Sequence, residues 1–412
     1  MNILIITQYF WPESFRINDL VRGLMERGHE VTVLTGKPNY PGGAFFPGYG
    51  LLGRASEDYH GARVRRVPLV PRGRGGALPL ALNYLSFACS ATLLGPFLCR
   101  GRYDAILVYE PSPITVGLPA LWLKRLRRAP ILFWVQDLWP ESLSATGAVR
   151  SPTVLAWVEK LVRLIYDGCD RILAQSRAFF APIEALGVSR ERILYYPNSA
   201  EALYRPLRAT PDARVQAGLP SGFVVMFAGN IGAAQDFGTI LAAAEQLKAQ
   251  ADIHWAIVGD GRMLPWVEEQ VRTRGLRNVH LLGRHHVESM PQFFAMADAL
   301  LVTLKKEPIF ALTIPSKVQS YLACGRPIVA ALDGEGARVV EEAGAGLTAP
   351  AEDPQALADA VLALACLQPR EREAMGARGR AYFEANFERE MLVDRLDGWL
   401  REIAEERLAC AS

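Results

Sequence analysis

Phe223-Val224-Val225-Met226-Phe227-Ala228-Gly229-Asn230-Ile231-Gly232 decides the fold: an apolar run, a glycine turn, then Phe237, Ile240, Leu241, Ala244 and Leu247 at helical spacing. A short strand without polar alternation is buried on both faces, as in a parallel sheet, and the 3.6-residue period after it is a helix lying on that sheet. The same arrangement opens the chain. Ile3-Leu4-Ile5-Ile6 breaks at Tyr9-Phe10-Trp11-Pro12-Glu13, and Ile17, Leu20, Val21, Leu24 and Met25 then share one helix face. Two such beginnings, half a chain apart, predict an α/β protein of two facing Rossmann-like domains, with ligands beyond the strand carboxyl ends and a cleft between the domains.

The bulk composition agrees. A chain of 412 residues exceeds what one core usually supports, and 50% hydrophobic with 21% charged residues excludes a disordered chain. A formal net charge of +2 gives no global field for nucleic acid, so no nucleic-acid partner is expected. Cys89, Cys99, Cys169, Cys324, Cys366 and Cys410 form no CxxC pair and read as thiols of a reducing compartment. Met1-Asn2-Ile3 enters a strand at once, without a basic n-region, which predicts a cytoplasmic chain with no cleaved leader.

Further strands are expected at Val31–Leu34, Ala105–Tyr109, Ile131–Val135, Arg171–Gln175 and Ile193–Tyr196, then near 253–258, 279–282, 299–303 and 327–331. Lys37 to Gly53 reads as a loop, and the three prolines of 206–221 as the crossover. The domains are therefore expected at 1–200 and 201–385, with 386–412 a helix that packs back towards the first. Within the first domain, Ala77 to Cys99 carries no charge, with Arg63, Arg65, Arg66, Arg72 and Arg74 before it and Arg100 and Arg102 after it. Its length permits a span, but Pro79, Asn83 and Gly95-Pro96 argue against a plain one. A sheet-covering helix and a surface docked on an anionic membrane both remain open.

Two sequence features suit an anion. Gly229 and Gly232 let the backbone approach a diphosphate, and a following helix would aim its N–H groups at it. The same glycines also suit an ordinary turn. Ile314-Pro315-Ser316-Lys317 opens a second helix, with Ser316 expected as its N-cap and Lys317 supplying a cation. That helix continues through Tyr321-Leu322-Ala323-Cys324-Gly325-Arg326-Pro327-Ile328-Val329.

This stretch, Ser316 to Val329, resembles the signature of family 4 glycosyltransferases, retaining enzymes of the GT-B fold, and the resemblance covers the whole chain. Val258-Gly259-Asp260-Gly261, Leu282-Gly283-Arg284 and Ala297-Asp298 resemble further family turns. Gln8-Tyr9-Phe10-Trp11-Pro12-Glu13 and Asp137-Leu138-Trp139-Pro140-Glu141-Ser142 look like the WbuB-like branch, associated with fucosamine-type transfer in surface polysaccharide and O-antigen assembly. The resemblance implies a nucleotide-sugar donor, UDP-linked, and a lipid-linked glycan acceptor at or near the inner face of the membrane. No separate cofactor is implied, since the nucleotide-sugar is a substrate.

The departures shape the site. The family's two glutamates would fall at Leu312 and Ser320, and its basic pair at Asn230 and Gln235; none of the four is charged. Donor contacts are then expected from Gly229, Asn230, Gly232, Gln235, Arg284, Phe310, Ala311, Leu312, Ser316, Lys317 and Ser320. Phe310-Ala311-Leu312 in place of a carboxylate suggests a deoxy or acetamido sugar, although backbone N–H groups of that loop would also serve an ordinary hexose.

Asp137 follows the strand Ile131–Val135, where a carboxylate could take the acceptor proton or steady an oxocarbenium-like transition state. Glu141 would lie on the same side. Capping a helix is the other reading of Asp137. Glu13 and Arg16 are candidates for the acceptor, or solvated loop charges. No Asp-x-Asp occurs to hold a divalent metal, so no metal is expected, and His285-His286 reads as a turn. Two rival functions share the pattern, a UDP-sugar 2-epimerase and a non-catalytic glycan-binding relic.

Overall fold

The computed structural model describes every residue except 52, 74, 75, 146–148, 150, 211 and 412, and the backbone alone at 145, 410 and 411. Arg74 and the side chain of Cys410 therefore lie outside the described residues. Two compact units result, Met1–Pro197 with Glu390–Ser412, and Asn198–Arg389.

The first unit is built on eight strands: β1 (Asn2–Ile6), β2 (Glu30–Gly36), β3 (Ser56–Tyr59), β4 (Ala62–Val67), β5 (Ala105–Glu110), β6 (Ile131–Val135), β7 (Arg171–Ala174) and β8 (Ile193–Tyr195). Their order is β3-β4-β2-β1-β5-β6-β7-β8, parallel except for the edge pair β3–β4. β3 and β4 are an addition to the expected strands. Three of the arginines that read as a basic flank, Arg63, Arg65 and Arg66, sit in β4, where Arg66 is 1% exposed, ion-paired to Glu57 of β3 and donating to the carbonyls of Gly36 and Trp11. A buried guanidinium persists only when paired and fully hydrogen-bonded, and here it ties the edge hairpin to the loop after β1.

One face of this sheet is covered by the helix Arg16–Glu26 and by the last helix, Arg389–Ala411. Leu392, Val393, Leu396, Leu400 and Ile403 join Ile3, Ile5, Val31, Val33 and Leu107 in a single core. The opposite face carries the helices Ala77–Leu98, Gly117–Arg127 and Pro152–Asp167 side by side. Gly95 and Gly117 permit that packing, since a Cβ would stand 3.1 Å from Leu34 at the first and 2.4 Å from Ile165 at the second.

The second unit is a six-stranded sheet, all parallel, in the order β11-β10-β9-β12-β13-β14. The strands are β9 (Phe223–Ala228), β10 (Ile253–Val258), β11 (Val279–Gly283), β12 (Ala299–Thr303), β13 (Ile328–Ala331) and β14 (Gly346–Ala349). Every residue of β9 is buried, because it is central and helices cover both faces. Among these strands β14 alone has no counterpart in the expected set; half of it is glycine and threonine, with little apolar signal. Both sheets are thus of the Rossmann type, and the carboxyl ends of β9, β10 and β11 deliver the loops that form the site.

Candidate functional site

In the second unit a cavity of about 1020 Å³ opens at those strand ends. Gly229 and Asn230 follow β9, Gly259-Asp260-Gly261 follow β10, and Arg284, His285 and His286 follow β11. Ser316, Lys317, Ser320 and Tyr321 come from the helix Ser316–Ala323, and Glu201 and Tyr204 from the segment after β8. The floor is made of glycine for a steric reason. Gly229 and Gly259 have φ of 136° and 146°, a region L side chains rarely adopt, and a Cβ on Gly259 would lie 1.9 Å from the Gly229 carbonyl oxygen.

Lys317 is the centre of this cavity's chemistry. Its Nζ is buried, lies 3.5 Å from the centroid of the Phe227 ring, and has no hydrogen-bond partner among the described residues. A Cβ on Gly229 would stand 3.0 Å from that Nζ, so the glycine leaves the ammonium facing the turn. Burial alone pushes the group down to about 7. A cation in that condition, beside a helix start with no side-chain cap, is poised for an anion. Ser316 is not the N-cap it was expected to be; Pro315 takes that position, leaving the first turn without a side-chain acceptor.

Of the residues expected to hold a donor, Gly229, Asn230, Arg284, Ser316, Lys317 and Ser320 line this cavity. Gly232, Gln235, Phe310, Ala311 and Leu312 do not. The glycine turn does not run straight into the long helix either. A 3₁₀ turn, Ala233–Gln235, intervenes, the Gln235 side chain accepts from the Gly232 N–H at 3.2 Å, and the helix begins at Phe237. Phe310 and Ala311 sit in a short helix, Pro308–Ala311, whose end backs onto Gly334. Glu201, Asp260 and Glu288, absent from the expected set, bring carboxylates to the cavity wall.

The first unit places its candidate carboxylates at the carboxyl ends of β5 and β6. Asp137 accepts from the Trp139 Nε1 at 3.3 Å and from the Ser142 and Ser112 hydroxyls, while burial raises its carboxyl above the usual range. The helix there starts only at Glu141, four residues later, so Asp137 is not its N-cap. Glu141 is half-buried, and its Oε2 is enclosed without a hydrogen-bond partner among the described residues. Glu110, the last residue of β5, was missed. It is wholly buried, and burial followed by the charge of Asp137 holds its carboxyl well above the ordinary range. The signal was present in Val108-Tyr109-Glu110, a carboxylate closing an apolar strand.

Glu13 is corrected. It is 2% exposed; one oxygen accepts from the N–H groups of Asn39 and Tyr40 at 2.8 and 2.7 Å, and the other from Phe10 at 3.2 Å. Its carboxylate is consumed in joining the loop after β1 to the loop after β2. Arg16 is the half-buried first residue of its helix. Among the described residues no three His, Cys, Asp or Glu side chains cluster as a metal site.

Residues 14–199 match the glycosyl transferase 4-like domain, and residues 222–366 match the glycosyl transferases group 1 domain. The chain belongs to the family 4-like glycosyltransferases. WcaI of Escherichia coli (strain K12), a protein named for a glycosyl transferase step in colanic acid biosynthesis, is 27% identical over 337 residues, 79% of this chain and 82% of its own. Among solved structures, sucrose-phosphate synthase from Thermosynechococcus elongatus superposes with a TM-score of 0.74 at 18% identity, covering all of both chains. HepE of Anabaena, solved with UDP and glucose, gives a TM-score of 0.68 at 17% identity over 98% of this chain and all of its own. These structures share the GT-B fold with this glycosyltransferase. Both matched domains are transferase domains, which favours transfer over the epimerase and glycan-binding readings.

Proposed function

We propose that this glycosyltransferase moves a deoxy or acetamido sugar, with retention, from a UDP-sugar to a lipid-linked glycan in polysaccharide assembly on the cytoplasmic side of the membrane. The observation that carries the donor half is the buried Lys317 amine, without a hydrogen-bond partner among the described residues, against the glycine turn. The diphosphate lies over Gly229 and Asn230 and at the start of the Ser316–Ala323 helix, where helix N–H groups and Lys317 replace water around the anion. The nucleoside lies towards Arg284 and Ser320, and the wall carboxylates Glu201 and Glu288 are acceptors for hydroxyl and base N–H groups. UDP bound to the HepE structure and the polysaccharide step for which WcaI is named both support this reading.

On the acceptor side, Asp137 is the carboxylate that takes up the acceptor proton or steadies positive charge at the anomeric carbon, with Glu141 and Arg16 as acceptor contacts. Loss of the diphosphate from the sugar is assisted by Lys317. The preference for a deoxy or acetamido sugar rests on the sequence departure, an uncharged Leu312 where the family pattern has a glutamate, since Phe310, Ala311 and Leu312 do not line the cavity.

Two results test the proposal. With UDP-N-acetylhexosamines, UDP-deoxyhexoses and UDP-glucose compared on a polyprenyl-diphosphate acceptor, product should form from the first two groups and poorly from UDP-glucose; preference for UDP-glucose contradicts it. EDTA should leave the rate unchanged, because Lys317 and helix N–H groups neutralise the diphosphate without an Asp-x-Asp pair. Strict dependence on Mg²⁺ or Mn²⁺ overturns that part.

A further inference from the structure

The helix Ala77–Leu98 is long and apolar enough to cross a membrane, yet both its ends return to the sheet of the first unit, through β4 before it and β5 after it. It lies along the sheet and does not span. Its inner face carries Asn83, Phe87, Ala88, Ala91 and Gly95, and Asn83 is satisfied there by the Gln8 side chain and the Val70 carbonyl, both at 2.6 Å. A helix in a two-layer arrangement ordinarily turns a polar face to water. This one does not: Leu82, Leu85, Leu93 and Phe97 point outwards at helical spacing, Leu93 being 69% and Phe97 66% exposed.

Its neighbours continue the surface. The helix Gly117–Arg127 packs beside it, with Arg127 donating to the Pro96 carbonyl at 2.6 Å, and exposes Trp122. The helix Pro152–Asp167 packs on that one through Gly117 and Ile165 and exposes Trp157, 68% accessible, with Lys160 stacked on its ring at 5.0 Å. Three adjacent helices thus present one outward apolar layer, far beyond singly scattered exposed residues.

We infer that this three-helix layer is a docking surface for the anionic leaflet of a lipid bilayer. Charge selects the occupant. Residues 59–136 contain eleven Arg or Lys and only two carboxylates, although the whole chain is nearly neutral. Exposed Arg100, Arg102, Arg125 and Arg128 cluster where the first two helices end, and neither helix contains an Asp or Glu. Pairing with a second copy would bring these arginines together without carboxylates on those helices to meet them. Lipid phosphates meet them directly, while leucine and the amphipathic Trp rings enter the acyl boundary. The inference is independent of donor and acceptor chemistry.

Flotation of the full chain with vesicles of phosphatidylglycerol and phosphatidylcholine, against phosphatidylcholine alone, tests it. The protein should float with the anionic vesicles and lose about fivefold in partitioning for each of Arg100→Ser and Arg128→Ser. Leu93→Glu/Phe97→Glu should abolish flotation while the melting temperature and light-scattering mass stay unchanged. If that pair fails to fold, Trp122→Ser/Trp157→Ser, on the other two helices, is the variant to read, with the same loss expected. Wild-type protein remaining soluble with anionic vesicles at low salt overturns the inference. So does a wild-type dimer that Leu93→Glu/Phe97→Glu converts to monomer, since the layer would then be an interface between copies.

Discussion

Replacing Lys317 with Met should make the unliganded protein more stable and the donor bind more weakly. The two effects have opposite signs because the amine is buried without a hydrogen-bond partner among the described residues before the diphosphate arrives. An unsatisfied buried polar group costs about 1–3 kcal/mol and more when charged, whereas a thioether of similar length keeps the contact with the Phe227 ring. The gain has a pH signature. The amine's pKa falls from its ordinary value to about 7 on folding, so the unfolded chain binds the extra proton between those two values, and wild-type stability rises with pH there. The stabilisation conferred by Met is therefore fullest below pH 7 and fades towards pH 10. Donor affinity moves the other way: loss of a charge-assisted contact worth about 1.5–3 kcal/mol weakens UDP binding roughly tenfold to a hundredfold. Thermal melts across pH, paired with UDP titrations, check both halves. Unchanged UDP affinity removes Lys317 from the donor site.

Asp137→Asn should lower turnover by about a hundredfold to ten-thousandfold, the range for loss of a positioned general acid–base group. Folding and UDP affinity should hold, since Asn keeps the shape and one acceptor for Trp139 and Ser142, and the donor cavity is built from the other unit. In the wild type, burial raises the carboxyl's pKa, so activity should fall as pH drops through that raised value, earlier than for an ordinary aspartate. The asparagine variant should lose this acidic limb. A variant that melts much lower and keeps its specific activity gives Asp137 a structural role instead.

The parallel cores were legible because β1, β5, β6 and β9 each contain an apolar run, Ile3–Ile6, Ala105–Tyr109, Ile131–Val135 and Phe223–Ala228, and burial on both faces leaves no other signal. The β3–β4 hairpin was not, because Arg66 occupies an inward position that its pairing with Glu57 and its bonds to the Gly36 and Trp11 carbonyls explain. In the site, Lys317 stood out from Pro315-Ser316-Lys317. Its burial did not, since Phe227 and Gly229 reach it from a strand some ninety residues earlier. Gly232 and Gln235 belonged by spacing to the phosphate turn, but the 3₁₀ turn folds them onto each other. The outward layer was half visible: a charge-free run announces an apolar helix, while Trp122 and Trp157 look in sequence like ordinary core positions.

In the proposed donor site a nucleoside diphosphate is held in the second unit by a lysine that is neutral or charged according to whether the ligand is present. UDP titrated calorimetrically into the full chain at about pH 8, in two buffers of different ionisation enthalpy, measures this directly. One UDP should bind per chain with uptake of close to one proton, affinity should fall as pH rises above 7, and both the proton uptake and the pH dependence should vanish in Lys317→Met. No UDP binding, or binding with no proton uptake in the wild type, would contradict it.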